Sequence, residues 1–245
     1  MNRNDGRQAE EIRSVSADVG FVDYPEGSVL FSIGGTRVLC NVTIEQGVPA
    51  WMQNQAVPGG WVTAEYAMLP RSTHQRIPRE TNAPRARSAE IRRLVGRSLR
   101  AAFDLERLPP VTCIVDCDVI QADGGTRTAS VTGGYIALVL ALYQALHVRG
   151  ETPNLLKPPV AAISVGKLEG AMLVDLNYDE DSQAEADLNL VMNAEGNFVE
   201  IQGTAERDPF GPADLDQAID LGWNAIQQLI TLQRSVLSEN GVELV

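Results

Sequence analysis

The pattern of hydrophobic and polar positions divides the chain into short strands and a few longer helices. Apolar runs bounded by glycine, proline and polar turns predict strands at residues 28–33, 36–43, 61–69, 111–121, 160–165, 171–176, 187–192 and 197–201. Gly34 and Gly35 join the first two strands, which is typical of a β-hairpin with a two-residue turn. Residues 47–60 predict a loop in which Trp51 and Met52 are exposed.

Helical spacing marks the remaining long segments. From about residue 88 to 106, apolar residues recur at intervals of three and four, with arginines on another face. Residues 135–148 are apolar nearly all round, which is typical of a buried helix. Residues 213–238 predict a long C-terminal helix, with Gly241 suited to its C-cap. Together the elements predict an α+β fold whose two halves each run from strands into a helix.

Composition narrows the classes of function. With 245 residues, 44% of them hydrophobic, the chain is long enough for one large domain or two small ones with a full core. Residues 1–14 lack the apolar centre of a signal peptide, and no apolar run looks long enough to span a bilayer. The odd set of Cys40, Cys113 and Cys117 argues against a disulfide framework and a structural zinc site. We therefore expect a cytosolic protein without a membrane anchor.

Arginines are concentrated in one part of an otherwise acidic chain. Ten arginines and four acidic residues lie between Arg71 and Arg107, whereas the formal net charge of the whole chain is −12. The guanidinium group is planar, stays charged and binds phosphate through two parallel hydrogen bonds. Residues 70–87 show no apolar period and predict a long basic loop, where His74 could touch RNA. The cluster indicates a phosphate-rich substrate; the alternative is a solvated helical face with ion pairs.

A glycine-rich segment, DGGTRTAS at residues 123–130, stands between a predicted strand and the buried helix. Glycine lets the backbone approach an anion closely, and the first amides of a helix point outward without partners. Gly125, Thr126 and Arg127 therefore predict a phosphate pocket built from amides, a hydroxyl and a guanidinium. The segment matches neither GxxxxGK[ST] nor GxGxxG. The alternative is a plain glycine turn with a threonine or serine cap.

Acidic residues without a local base fill residues 175–187. Asp181 and Asp187 flank a short connection between two predicted strands, and hard cations such as Mg²⁺ bind carboxylates together with substrate phosphates. The alternative is an acidic surface loop. Histidine occurs twice, at His74 and His147, which leaves little for a Ser-His-Asp or Cys-His mechanism.

Longer motifs resemble the ribonuclease PH family over essentially the whole chain. They are DGR at 5–7, PEGSVL at 25–30, TAEYAMLPR at 63–71, EIRRLVGRSLRA at 90–101, DCDVIQADGGTRTAS at 116–130, AAISVG at 161–166, DLNYDEDSQAEADLN at 175–189 and FVEIQGTAE at 198–206. The resemblance implies the ribonuclease PH fold, a single compact α+β domain over residues 1–245. Two pseudo-equivalent β-rich halves with packed helices make up that fold.

The resemblance also implies a phosphorolytic 3′→5′ exoribonuclease. In this reaction inorganic phosphate attacks the last phosphodiester of an RNA 3′ end and releases a nucleoside diphosphate. The family can also run the reaction backwards and add nucleotides, so the resemblance implies a tRNA nucleotidyltransferase as well. Precursors of tRNA are the expected substrates, and a hexameric ring is the expected assembly.

Site residues follow from the matching motifs. The resemblance implies that Arg87, Gly125, Thr126 and Arg127 bind phosphate and that Asp181 and Asp187 hold Mg²⁺. The catalytic residues it implies are Arg87, Arg127, Asp181 and Asp187. The remaining arginines are expected to guide RNA or bridge subunits, in particular Arg71, Arg76, Arg79 and Arg93. Two alternatives stay open, a non-catalytic RNA-binding ring subunit and a small-molecule phosphotransferase.

Overall fold

Two β-sheets, with helices packed between and beside them, make up the fold of this chain. The computed structural model describes residues 3–81, 85–148, 155–207 and 209–242. The strands are β1 (Val15–Val19), β2 (Gly27–Ile33), β3 (Thr36–Gln46), β4 (Trp61–Met68), β5 (Val111–Gln121), β6 (Val160–Leu168), β7 (Ala171–Val174), β8 (Ala186–Asn193) and β9 (Phe198–Ala205). The helices are α1 (Ala50–Asn54), α2 (Ala86–Ala101), α3 (Thr126–Val148), α4 (Tyr178–Asp181) and α5 (Pro212–Glu239). These elements confirm the α+β class expected from the sequence.

Each sheet takes its strands from one half of the chain. The first has the order β1-β2-β3-β5-β4, and the second has the order β7-β6-β8-β9. Strands β4 and β5 are parallel, because α2 returns the chain to the same end of the sheet between them. The other paired strands are antiparallel.

Helix α3 lies at the centre of the structure, because it packs against strands of both sheets. Its side chains are buried along most of its length. By length and apolar composition Thr126–Leu146 could cross a membrane, but 78% of its most apolar window is buried inside the protein, as in a core helix. The expectation that no apolar run reaches that length is therefore wrong. Burial between two sheets explains why such a run occurs.

The strand predictions hold in most places. The hairpin of β2 and β3 pairs Ile33 with Thr36, and Gly34 adopts φ +56° in the turn. The C-terminal helix ends where predicted, because Gly241 at φ +78° lets Val242 N–H return to the Leu237 carbonyl at 2.9 Å. Strand β1 and the single-turn helix α4 are elements that the sequence pattern did not reveal.

Two predictions are wrong in detail. Residues 47–60 contain helix α1, and Met52 is buried at 2% exposure although Trp51 is exposed at 42%. Helix α2 runs from Ala86 to Ala101 instead of from 88 to 106. It ends early because the next turn buries Phe103, whose backbone forms a bridge with Leu156.

Gly133 and Gly134 lie side by side in α3 and differ in the space around them. A Cβ on Gly133 would lie 2.5 Å from Phe31 Cβ, whereas one on Gly134 would meet its nearest neighbour, Val115 Cγ1, at 3.4 Å. Alanine stabilises a helix over glycine by about 1 kcal/mol at either position, but overpacking costs about 1–3 kcal/mol. We expect Gly133→Ala to lower the free energy of unfolding and Gly134→Ala to raise or preserve it in urea denaturation. Equal effects would contradict this packing.

Candidate active site

One cavity brings together the residues that the sequence assigned to phosphate and metal binding. It has a volume of about 590 Å³, and its lining includes Arg87, Gly125, Thr126, Arg127, Asp181 and Asp187. A second cleft, which shares both arginines and both aspartates with the cavity, continues toward β9. The site therefore lies where the N-terminal ends of α2 and α3 meet α4 and the start of β8.

A tight glycine turn sets the position of the α3 N-terminus. Gly124 and Gly125 have φ values of +76° and +66°, a region that favours glycine. A Cβ on Gly124 would also lie 2.3 Å from the Leu176 carbonyl oxygen. The turn ends at Thr126, whose Oγ1 lies 2.9 Å from the buried Tyr66 hydroxyl. Because burial raises the pKa of Tyr66, the phenol stays neutral beside the threonine.

A buried arginine fastens this turn to the second half of the chain. Arg13 donates to Asp175 Oδ1 at 2.6 Å and to Asp175 Oδ2 at 2.9 Å. The same guanidinium donates to the backbone carbonyls of Asp123 and Gly124. Burial disfavours the charge, but the hydrogen bonds and charge of Asp175 still raise the pKa of Arg13. Arg13 thus contacts both the glycine turn and the acidic segment and helps to fix their relative position.

A second N-terminal arginine holds helix α4. Arg3 donates to Glu180 Oε1 at 2.8 Å and to Oε2 at 2.7 Å, and both side chains are buried. Glu180 also accepts from the Asn177 backbone in a capping box at the start of α4. Asp181 is therefore carried on a fixed turn.

Sequence reasoning missed Arg3 and Arg13. The signal that could have found them was an acidic segment with no local base, together with basic residues near the N-terminus.

The two predicted phosphate-binding arginines flank the glycine turn. Arg127 Nη1 donates to Gln202 Oε1 at 2.8 Å and to Glu90 Oε1 at 3.1 Å. Arg87 is exposed in the first turn of α2, one helical turn before Glu90. Gln202 is a further residue that the sequence did not single out. Both arginines line the cavity, where their guanidiniums are available to an anion.

Asp181 and Asp187 line the same cleft, and the charge of Asp181 disfavours ionisation of Asp187. Burial is the largest cause that raises the pKa of Asp187, and the charge of Asp181 raises it further, while Arg127 acts in the opposite direction. Asp181 is exposed as a residue, yet loss of solvation in the cleft raises its pKa against the effect of Arg87 and Arg127. Asn189 Nδ2 donates to Asp187 Oδ2 at 3.1 Å. A divalent cation would relieve this repulsion.

Asp181 and Asp187 form a suitable donor set for Mg²⁺ if phosphate oxygens of the substrate complete the coordination. Within the described ranges, no group of three or more His, Cys, Asp or Glu side chains is placed to hold a metal ion. Mg²⁺ usually takes one or two carboxylates together with waters and substrate phosphates. Asp181 and Asp187, which line the same cavity, supply the two carboxylates of that mode of binding.

The other predicted RNA-binding arginines lie elsewhere. Arg71, Arg76, Arg79 and Arg93 are exposed, and the described lining of the cavity does not include them. The basic loop does form one wall through Thr73, His74, Gln75 and Ile77, together with the unpredicted Arg85. The ring centres of His74 and Tyr178 lie 6.1 Å apart. Residues 82–84 of this loop lie outside the described residues.

Two family models match most of the chain. Residues 11–143 match domain 1 of the 3′ exoribonuclease family, and residues 158–225 match domain 2 of the same family. The chain therefore belongs to the 3′ exoribonuclease family.

Within this family, the curated relatives that match nearly the full length of the chain are ribonuclease PH proteins. Ribonuclease PH of Bacillus subtilis (strain 168) is 46% identical over 245 residues, which cover 99% of each chain. Ribonuclease PH of Bacillus cytotoxicus is 48% identical over 240 residues and 97% of each chain. The resemblance inferred from the sequence motifs is confirmed.

Solved structures show the same fold at lower identity. Rice Rrp46 superposes with a TM-score of 0.77 at 22% identity, covering 96% of this chain and all of that one. A chain of an Archaeoglobus fulgidus exosome with RNA bound to the active site gives 0.76 at 23% identity, covering 93% and 91%. These neighbours confirm the predicted ribonuclease PH fold.

The raised pKa of Asp187 has a consequence for stability. A carboxyl whose pKa is higher in the folded than in the unfolded state destabilises the fold when it is ionised. Asparagine at this position removes the charge and keeps an oxygen that accepts from Asn189. We expect Asp187→Asn, in the presence of a chelator, to unfold at higher urea concentration than wild type at pH 7.5. This advantage should shrink as the pH falls through the raised pKa.

Asp214 provides a control of opposite sign. A hydrogen bond from the Gly211 backbone at 2.9 Å lowers its pKa, and Lys167 lowers it further. Asp214→Asn should therefore destabilise the protein at pH 7.5, with the difference vanishing at a pH below the lowered pKa. If Asp187→Asn also destabilised the protein at pH 7.5, the conclusion that burial and the charge of Asp181 make ionisation of Asp187 costly would be wrong.

Proposed function

We propose that this protein uses inorganic phosphate to remove nucleotides from the 3′ ends of tRNA precursors and releases nucleoside diphosphates. Family membership supports a phosphorolytic 3′→5′ exoribonuclease. The observation that carries the residue assignments is one cavity with two arginines, a helix N-terminus and two acids on its walls. The basic side of this cavity is suited to bind a free oxyanion. The acidic side is suited to bind a cation together with the RNA.

The attacking phosphate binds, on this proposal, at the α3 N-terminus. The amides from Gly125 to Arg127 point toward it with the positive end of the helix dipole behind them. The Thr126 hydroxyl and the guanidiniums of Arg87 and Arg127 complete the pocket. Positioning and charge stabilisation supply most of what phosphoryl transfer needs. The hydrogen bonds from Arg127 to Glu90 and Gln202 keep its fork in place before the substrate arrives.

The acid side of the cavity would act on the RNA end. Mg²⁺ bound by Asp181 and Asp187 would supply neutralisation of charge on the scissile phosphate. The departing 3′ oxygen needs a proton, which we assign to Asp187 or to a water that the metal would hold beside it. Because a carboxylate that binds Mg²⁺ is ionised, the water is the donor whenever Asp187 holds the cation. Arg13 and Arg3 keep this side in register with the phosphate side.

Assembly into a hexameric ring would complete the RNA path. Edge strand β9 exposes Phe198 and Ile201 at 43% each, and apolar side chains on a sheet edge are typical of an interface. A chain of net charge −12 repels RNA except at its arginines. A ring would gather Arg71, Arg76 and Arg79 of several subunits near the entrances to the active sites.

We propose the cytosol as the location of this enzyme.

A non-catalytic ring subunit that binds RNA is the second candidate. Such a protein has no need of a phosphate pocket or of paired acids. This chain places both around one cavity, and its curated relatives over nearly full length are ribonuclease PH. Both observations favour the enzyme.

The nucleophile provides the first test. With a 3′-tailed RNA and Mg²⁺, wild type should release nucleoside diphosphates when phosphate is supplied and nothing without it. Arg87→Ala and Arg127→Ala should each lose on the order of 10²-fold in rate, because each removes charge stabilisation from the pocket. Arg234→Ala, an exposed arginine on α5, is the matched control and should be unaffected. Nucleoside monophosphates from a phosphate-free reaction would identify a hydrolase and overturn the proposal.

The exposed loop arginines provide the second test. Replacing Arg71, Arg76 and Arg79 together by alanine should weaken binding of a tRNA precursor, dissociate the ring, or both. Light scattering and an RNA titration over a salt series separate these outcomes. Loss of three phosphate contacts to single-stranded RNA should reduce the salt slope by about 2. A triple variant with an intact ring and the wild-type salt slope would remove these arginines from both roles.

A further inference from the structure

Ser164 places a buried hydroxyl at the floor of the active-site cavity. The residue lies in β6, is exposed at only 5% and belongs to the lining of the cavity. Within the described part of the chain, its Oγ has no hydrogen-bond partner. Buried polar groups are nearly always paired, so an orphaned hydroxyl in a cavity wall points to a ligand as the missing partner.

The other hydroxyls around the α3 N-terminus are already engaged. Thr126 Oγ1 lies 2.9 Å from the Tyr66 hydroxyl, and Thr128 Oγ1 donates to the Gly125 carbonyl at 2.9 Å. Ser130 donates to the Thr126 carbonyl at 2.8 Å. Ser164 thus differs from its neighbours because its hydroxyl is not committed to the fold.

Its surroundings place Ser164 on the phosphate side of the cavity. The Oγ lies 3.7 Å from the point that a Cβ on Gly125 would occupy, directly beside the glycine turn. On the neighbouring strand β8, its register partner is Asn189, whose Nδ2 is used to hold Asp187. On the floor of the cavity, Asn189 therefore contacts Asp187, and Ser164 faces the α3 N-terminus.

A hydroxyl suits the oxyanion better here than another cation. It can donate to one oxygen and accept from another, and phosphate near neutral pH carries both bare and protonated oxygens. The guanidiniums and amides on the opposite walls can only donate. Ser164 would therefore add a group that accepts as well as donates, without adding charge.

We propose that the Ser164 hydroxyl is a direct ligand of the inorganic phosphate that attacks the RNA. This assignment rests on the proposed phosphorolytic function and adds a binding residue to it. The phosphate would then be bound on three sides, by the α3 amides, by the arginines and by this serine from β6. The second half of the chain would thereby contribute to a pocket otherwise built from the first half.

The test compares two buried serines that both lack a partner. Ser72 is exposed at 3%, its Oγ has no partner in the described chain, and it is absent from the described cavity lining. Ser164→Ala should raise the KM for phosphate about tenfold, as expected when an uncharged group loses a hydrogen bond to a charged ligand. The KM for RNA should stay near the wild-type value. Ser72→Ala should leave both constants unchanged.

A binding measurement supports the kinetic one. Inorganic phosphate alone should raise the thermal midpoint of wild type and of Ser72→Ala, because a ligand that binds only the folded state stabilises it. The increase should be smaller for Ser164→Ala at the same phosphate concentration. Since the Ser164 hydroxyl has no partner among the described residues, the midpoints without phosphate should be similar.

The outcomes separate this inference from the function on which it rests. If wild type requires phosphate and Arg127→Ala is impaired, an unchanged phosphate KM in Ser164→Ala overturns the serine assignment alone. A rise in the RNA KM instead of the phosphate KM would also overturn it, because it would place the hydroxyl on the RNA side. If wild type releases nucleotides without phosphate, the proposed function fails and the serine assignment fails with it.

Discussion

The bidentate contact between Arg13 and Asp175 is the constraint on which the site depends. Arg13 reaches from the N-terminal segment to the glycine turn, and Asp175 adopts φ +54°, a strained value for a residue other than glycine. Both side chains are buried, so neither can exchange the other for water. This ion pair, together with the hydrogen bond from the Tyr178 amide to Asp123 Oδ1 at 3.2 Å, therefore places the glycine turn relative to the segment that carries Asp181. Breaking a buried pair typically costs about 3–5 kcal/mol.

This ion pair keeps the basic residues and the acidic residues of the cavity apart. The arginines and the α3 N-terminus create a positive side, and the aspartates create a side where ionisation is costly. If the two sides moved toward each other, Arg127 would neutralise Asp187 directly and neither would be available for substrate. Glu90 and Gln202 oppose this by holding Arg127 on the side of α2 and β9.

The sequence predicted the parts of the fold that depend on local pattern. The hairpin at Gly34, strand β5 and the glycine-rich turn before α3 could be found because their residues are adjacent in the chain. The burial of Met52 and the early end of α2 at Ala101 could not, since distant residues decide them. The same applies to Arg3, whose partner Glu180 is 177 residues away. Assigning Arg87 and Asp187 to roles required the family resemblance, because composition alone indicated an anion site without its chemistry.

Helix α3 has a further consequence for how the two halves of this chain are related. The family treats residues 11–143 and 158–225 as separate domains, yet the helix that ends the first also packs against β6 of the second. Thr132 shows the junction at atomic scale, because its hydroxyl accepts from the Ala162 amide and its carbonyl accepts from Gln233. If the halves arose by duplication, residues of each half now fill part of the core of the other. Buried residues of both halves belong to one hydrophobic cluster, so we expect a gene split between the halves to yield two fragments that fold only together.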